Sequence, residues 1–355
     1  MPLFTDEERK IVGTTYKQQS REQAIKIGLD MFGPKMRKMV EEIEEILNKE
    51  QGISNNEGGE IQREHGGYLT NTQSPTTNSI YLYCWRGGMR SAAVAWLLDL
   101  YGFKVYTLAG GYKAFRNHVL QTFQRPFSFK IIGGFTGSGK TEVLQELEKN
   151  GQPVIDLERI ASHKGSAFGA FKMPPQPSPE MFENLLAMEL WEKTASSKLK
   201  AQSSESTDSF GDPFTTHDSP LTIWLEDESQ RIGNLNIPSA LWETMRQSPL
   251  VFLEIPFEER LNHLTEEYSS CDTEKLMDSV RRISKRLGGL ETKNTLELLE
   301  KGDHREAFRI LLNYYDKRYL KGLHNREQLL TLLTKIKCDI VTPANANLLT
   351  KHQPA

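Results

Sequence analysis

Apolar positions fall into short β-branched or aromatic runs separated by stretches with helical periodicity. Residues 6–47 read as largely helical, with a stripe through Met36, Val40, Ile43 and Leu47 at helical spacing. Residues 79–83 (SIYLY) are β-branched and aromatic and predict a buried strand. Residues 91–101 (SAAVAWLLDLY) predict a helix, ended by Gly102. A strand over 104–108 follows, and Gly110-Gly111 begins a turn into another helix. Next come a strand over 127–133, a glycine-rich loop over 134–141 and a helix over 142–149. Further strands are expected over 154–157, 221–225 and 250–255, and from Phe257 onward the chain reads as mostly helical. Strands alternating with helices imply parallel sheets and an α/β fold class. Arg125-Pro126 is the best boundary, giving expected domains of 1–125 and 126–355. Two polar stretches, about 48–78 and 196–219, lack periodic apolar residues and are expected to be disordered insertions.

Composition narrows the class. The 355 residues are roughly twice the length of a common domain, in keeping with two cores. A hydrophobic fraction of 37% with 26% charged residues is that of a globular protein. No apolar run approaches the ~18 residues that span a bilayer, so no membrane span is expected. The amino terminus, MPLFTDEERK, is not patterned as a secretory signal. Cys84, Cys271 and Cys338 are too few and too scattered for a disulfide framework, so free thiols and a cytoplasmic location are expected. The formal net charge of −3 excludes a uniformly basic coat and leaves room for a local basic patch.

The loop Gly134-Phe-Thr-Gly-Ser-Gly-Lys-Thr141 matches the phosphate-loop pattern, between a predicted strand and a predicted helix. Gly134, Gly137 and Gly139 let successive backbone N–H groups point into one concavity, to which Ser138 adds its own. The helix that follows contributes its positive end. Lys140 supplies a point charge, and the Thr141 hydroxyl is placed to ligate Mg²⁺ where a metal is used. A nucleotide triphosphate such as ATP is the default occupant, and another diphosphate fits the same cradle. A partner acid for Mg²⁺ is sought at the end of the 221–225 strand, in Asp227 or Glu226. Glu158 and the run 163–166 follow another predicted strand and are weaker candidates for the same crevice.

The loop Cys84-Trp-Arg-Gly-Gly-Met-Arg-Ser91 also joins a strand to a helix. Loop and helix-end N–H groups stabilise a thiolate there, and Arg86 and Arg90 add positive charge nearby. Cys84 is thus expected to have a depressed pKa and to sit in an anion cradle. Such a loop resembles both the anion loop of cysteine phosphatases and the active loop of rhodanese-like domains. The following VYTLAGGYKAF segment resembles the closing part of rhodanese domains and favours chalcogen transfer. The residues alone leave open a Cys-dependent phosphatase or sulfurtransferase fused to a nucleotide-binding, kinase-like domain.

A rhodanese-like cysteine loop followed by a phosphate loop resembles the tRNA 2-selenouridine synthase family. The likeness continues through 13–19 (GTTYKQQ), 110–114 (GGYKA), 157–169, 226–233 (EDESQRIG), 285–289 (KRLGG) and 314–316 (YYD). The resemblance implies a rhodanese-like parallel sheet followed by a P-loop NTPase-like α/β domain with a helical carboxy-terminal region. It implies conversion of 2-thiouridine at the tRNA wobble position to 2-selenouridine, with the anticodon loop as the partner surface. In the implied route the sulfur is first geranylated from geranyl diphosphate. Selenium from selenophosphate then replaces the geranylthio group, carried on Cys84 as a selenylsulfide. A selenophosphate-supplying enzyme is an implied partner. Family members usually begin with a strand carrying Asp-x-Arg, upstream of the part that matches here. The first domain is therefore expected to lack its first strand. Arg281, Arg282, Lys285, Arg286, Lys317, Arg318 and Lys321 form a basic cluster in the tail suited to RNA phosphates.

Overall fold

A computed structural model describes residues 3–50, 79–202, 221–268 and 270–351, grouped into two compact units, Met1–His118 and Val119–Ala355. The polar stretches at 51–78 and 203–220 lie outside the described residues, so the expected disorder there is not addressed. The edges of both stretches are helical rather than loop, because the helices before them run on to Glu50 and Gln202.

The first unit opens with α1 (Asp6–Gln18), α2 (Arg21–Phe32) and α3 (Met36–Glu50). Thr5 caps α1 in a reciprocal capping box with Glu8. Next come β1 (Ser79–Leu82), α4 (Met89–Tyr101), β2 (Lys104–Thr107) and α5 (Gly111–Thr122), the last running across the join. Strands β1 and β2 pair in parallel, Ser79 opposite Lys104. The predicted stripe on α3 packs with Phe32, Ile80, Val94, Leu97 and Leu98 in the core of this unit. The expectation of a fully buried strand at 79–83 is corrected: Ile80 is buried, whereas Tyr81 is 76% exposed and stacks on Tyr106 at 5.2 Å. Only one face of the two-strand pair meets helices, so alternate side chains face out.

The second unit runs through β3 (Ser128–Gly134), α6 (Lys140–Lys149), α7 (Leu157–Ala161) and α8 (Pro179–Gln202). It continues with β4 (Thr222–Glu226), β5 (Arg231–Ile232), β6 (Leu235–Asn236), α9 (Ser239–Gln247) and β7 (Leu250–Glu254). The tail holds α10 (Phe257–Tyr268), α11 (Thr273–Leu287), α12 (Gly289–Glu300), α13 (His304–His324), α14 (Leu329–Leu332), β8 (Leu333–Lys337) and α15 (Ala346–Lys351). The main sheet is parallel, in the order β4-β3-β7-β8. Central β3 is buried over most of its length, as a strand flanked on both sides must be.

Two sequence expectations change here. Residues 154–157 do not form a strand: Val154 makes a single bridge to Trp224, and Asp156 caps α7 by accepting from the Arg159 N–H at 2.7 Å. The cap turns the chain into a helix before a ladder can form. The tail is not purely helical, because Leu333–Lys337 adds an edge strand of which only Ile336 is buried. Lys335 and Lys337 are exposed on that strand, and Lys335 pairs with Glu254 of β7 at 3.3 Å.

Candidate active site

The loop after β3 has the geometry that its glycines require. Gly137 has φ +77°, and a Cβ there would lie 2.8 Å from Leu264 Cγ and 2.9 Å from the Arg260 carbonyl. Lys140 opens α6 and folds back so that its Nζ donates to the Gly134 carbonyl at 3.1 Å. The Ser138 hydroxyl is buried without a partner among the described residues. Such an orphaned hydroxyl beside several loop N–H groups suits an incoming phosphate oxygen.

The loop forms one wall of a cavity of about 1590 Å³. Lys140, Thr141 and the candidate acid Glu158 face it, as do His163, Lys164 and Glu228. The Thr141 hydroxyl donates to Glu158 Oε2 at 3.1 Å. Burial raises the Glu158 carboxyl above its usual range, against the opposing pull of Lys140. Burial and the nearby Glu158 also push Glu228 well up. Glu226 is fully buried at the end of β4, accepts from the Leu157 N–H at 3.1 Å, and is likewise raised by burial.

Asp227 lines the same cavity as the phosphate loop and is engaged by two side chains. Its carboxylate accepts from Arg326 at 2.8 Å and from the Tyr319 hydroxyl at 2.7 Å. A carboxylate already neutralised by a buried guanidinium is a poor cation ligand. Among the described residues no group of three or more His, Cys, Asp or Glu side chains is set to hold a metal. Thr141 and Asp227 line the same cavity, and the acid bonded to the Thr141 hydroxyl is Glu158.

The same cavity is also lined by Arg282, Arg286 and Arg318 together with Tyr314 and Tyr315. Three of the seven tail cations named from sequence therefore reach the cavity. Arg281 instead pairs with Glu274 and Asp278 on the surface. The Arg282 guanidinium donates to the Ala167 carbonyl and to Ser279 Oγ, contacts that orient it without neutralising it.

The loop itself is held from behind. Arg260 donates to the Thr136 carbonyl at 3.1 Å and pairs in two places with Asp316, at 2.9 and 2.8 Å. Tyr319 accepts from the Gly134 N–H at 3.3 Å. Neither Arg260 nor Tyr319 was singled out from sequence. Both lie more than a hundred residues from the atoms they hold, and no local motif marks them.

In the first unit, Cys84 ends the connection from β1 and faces the start of α4. Its sulfur accepts from the Gly88 N–H at 3.2 Å and from the Ser91 hydroxyl at 3.3 Å. Partial burial would raise the thiol. The Ser91 hydroxyl and the N–H groups of Ser91, Gly88 and Arg86 outweigh it and lower the pKa to about 6. The Arg86 and Arg90 side chains are exposed, and the lowering comes from the loop N–H groups and the Ser91 hydroxyl. Ser91 was quoted within the loop pattern, yet its role was not seen. Gly111 closes the loop from the far side: a Cβ there would sit 2.1 Å from the Cys84 carbonyl oxygen. Trp85 is 54% exposed beside the thiol and stands 5.5 Å from Tyr112.

Comparison with known proteins adds a family. Residues 35–118 match a rhodanese-like domain. Residues 127–207 and 214–342 match the tRNA 2-selenouridine synthase AAA domain. A tRNA 2-selenouridine synthase of Pseudomonas putida (strain GB-1) is 31% identical over 90% of this chain and 81% of its own. Those of Sulfurovum sp. (strain NBC37-1) and Hydrogenovibrio crunogenus are 31% and 33% identical, each over 90% of this chain and 82% of the relative. No helix among the described residues is long and apolar enough to cross a membrane.

Proposed function

The chain belongs to the tRNA 2-selenouridine synthase family, and from that premise we propose a division of labour between its two anion loops. The enzyme replaces the sulfur of 2-thiouridine in tRNA with selenium. In the proposed route the phosphate loop binds the diphosphate of geranyl diphosphate, and the cysteine loop handles selenium delivered as selenophosphate. The observation that carries this reading is the single cavity lined by Lys140 and the loop and also by Arg282, Arg286 and Arg318. The loop suits a diphosphate and the arginines an RNA backbone.

Alkylation then proceeds in a charge-balanced way. The uridine sulfur attacks the allylic C1 of the donor. The S–C bond forms, the C1–O bond breaks, and the electron pair leaves on diphosphate. The uracil N3 proton goes to solvent or to a cavity carboxylate. Lys140, the loop N–H groups and the end of α6 stabilise the departing charge before it is fully developed. Alkylation turns sulfur from a poor leaving group into a geranyl thiolate. The selenium of selenophosphate attacks C2, the C–Se bond forms, and the C–S bond breaks with geranyl thiolate leaving. Water then cleaves the Se–P bond to release phosphate, with no change of oxidation state. Cys84 is proposed to serve this selenium step because its thiol pKa is lowered to about 6 inside an N–H-lined loop suited to the selenophosphate anion. Trp85 offers an aromatic face beside it for an unstacked base. A working free thiol fits a reducing, cytoplasmic setting.

The test supplies 2-thiouridine tRNA with geranyl diphosphate and then selenophosphate, and analyses nucleosides by mass. Lys140→Ala is expected to abolish geranylation. Cys84→Ser is expected to leave geranylation intact and to abolish 2-selenouridine. Selenouridine formed by Cys84→Ser would remove the role assigned to the thiol.

A further inference from the structure

A second, smaller void opens beside the phosphate loop. Its volume is about 40 Å³, and its inner walls are Phe168, Phe308, Leu311 and Leu312. It shares Thr136, Ser166, Leu264, Tyr268 and Tyr315 with the large cavity, so the two spaces adjoin. Thr136 is a residue of the phosphate loop, and Leu264 presses against Gly137 of that loop. The four inner-wall residues belong to the helical core built on α10, α11 and α13 and are all apolar, whereas the polar lining residues Thr136 and Ser166 are among those shared with the large cavity. A water placed against Phe168, Phe308, Leu311 and Leu312 alone would lack the two to four polar partners it needs. An apolar chamber that opens directly off a phosphate cradle suits a molecule with a charged head and a hydrocarbon tail.

We propose that this chamber receives the distal isoprene unit of the prenyl donor and so sets its chain length, an inference that rests on the alkylation reading above. The void has room for roughly three water-sized groups, on the order of one isoprene unit. A ten-carbon donor places its diphosphate on the loop, its first isoprene unit in the mouth between Tyr268 and Leu264, and its second in the chamber. A five-carbon donor leaves the chamber empty. A fifteen-carbon donor meets the closed end at Phe308 and Leu312.

Two variants test this. Phe308→Leu deepens the chamber and Leu312→Phe fills it. Each is read as a ratio of alkylation rates within one preparation, so partial unfolding cancels. Phe308→Leu is expected to raise the farnesyl-to-geranyl ratio about tenfold. Leu312→Phe is expected to raise the dimethylallyl-to-geranyl ratio about tenfold, the usual scale for a hydrophobic pocket resized by a few carbons. Inorganic diphosphate binding should stay within twofold in both. The unmodified protein gives an independent measurement with unreactive thiolodiphosphate analogues. Affinity should rise about tenfold from five to ten carbons and gain nothing at fifteen. Ratios unmoved in both variants, or affinity still climbing at fifteen carbons, overturn the chamber assignment while leaving alkylation standing. If the unmodified protein alkylates tRNA with none of the three donors, the alkylation reading itself fails and the chamber assignment goes with it.

Discussion

A thiolate at neutral pH needs a reason, and for Cys84 the reason is four hydrogen-bond donors outweighing partial burial. With a pKa of about 6, roughly nine-tenths of the thiol is ionised at pH 7. The rate of alkylation by iodoacetamide should therefore rise through pH 6 and level off by pH 7. Ser91→Ala deletes one donor while keeping the loop N–H groups. A hydrogen bond to a charged group contributes about 1.5 kcal/mol, so the inflection should move up by about one pH unit. The sign follows from which form is favoured: the lost donor served only the thiolate, so more base is needed to remove the proton. Arg86→Ala should move the inflection far less, because its contribution runs through the backbone N–H, which alanine retains. An unchanged inflection in Ser91→Ala would mean that the hydroxyl does not bond the sulfur in solution.

One turn of α13 grips the start of the phosphate loop at two points. Asp316 and Tyr319, three residues apart, lie on the same helical face. Asp316 neutralises Arg260, which holds the Thr136 carbonyl, and Tyr319 holds the Gly134 N–H. Asp316→Asn leaves the buried Arg260 charge unpaired and should cost about 3 kcal/mol of stability, read from denaturant midpoints. Tyr319→Phe should cost about 1 kcal/mol, since Asp227 keeps Arg326. Both should weaken inorganic diphosphate binding, and neither should change the reactivity of Cys84 in the other unit. A loss under 1 kcal/mol for Asp316→Asn would show that the clamp does not hold. This level also separates what was legible in the sequence from what was not. The phosphate loop and the cysteine loop could be read because their glycines, cysteine and flanking strands lie within about a dozen residues. The strand expected at 154–157 failed because one side chain, Asp156, capped a helix instead. The edge strand Leu333–Lys337 escaped because an open, lysine-bearing strand has little apolar signal. The pairing of Asp227 with Arg326 could not be read because the arginine comes from 99 residues further along the chain.

At the scale of the whole molecule the difficulty is charge. With 44 basic and 47 acidic residues, the chain has no net attraction for RNA. Binding must then depend on where the cations stand and on which of them are free of carboxylates. Many tail cations are spent on neighbours: Arg281 on Glu274 and Asp278, Arg309 on Glu258 and Glu306, and Arg260 on Asp316. Arg282, Arg286 and Arg318 face the same cavity as the phosphate loop, and none of them has a carboxylate partner among the described residues. Each phosphate neutralised by such a cation releases condensed counterion, and single strands lose affinity with a log–log salt slope of about −0.7 per contact. Replacing all three arginines by alanine should therefore flatten the salt dependence of tRNA binding by about 2 in slope. The loss of affinity should be largest at low salt and shrink as salt rises. Alanine at Arg281, whose charge is already compensated, should change the slope by less than about 0.5 on the same scale. Filter binding between 50 and 200 mM salt distinguishes the two outcomes. An equal slope for the triple variant and the unmodified protein would move the RNA path away from these arginines, and the cavity would then serve the diphosphate alone.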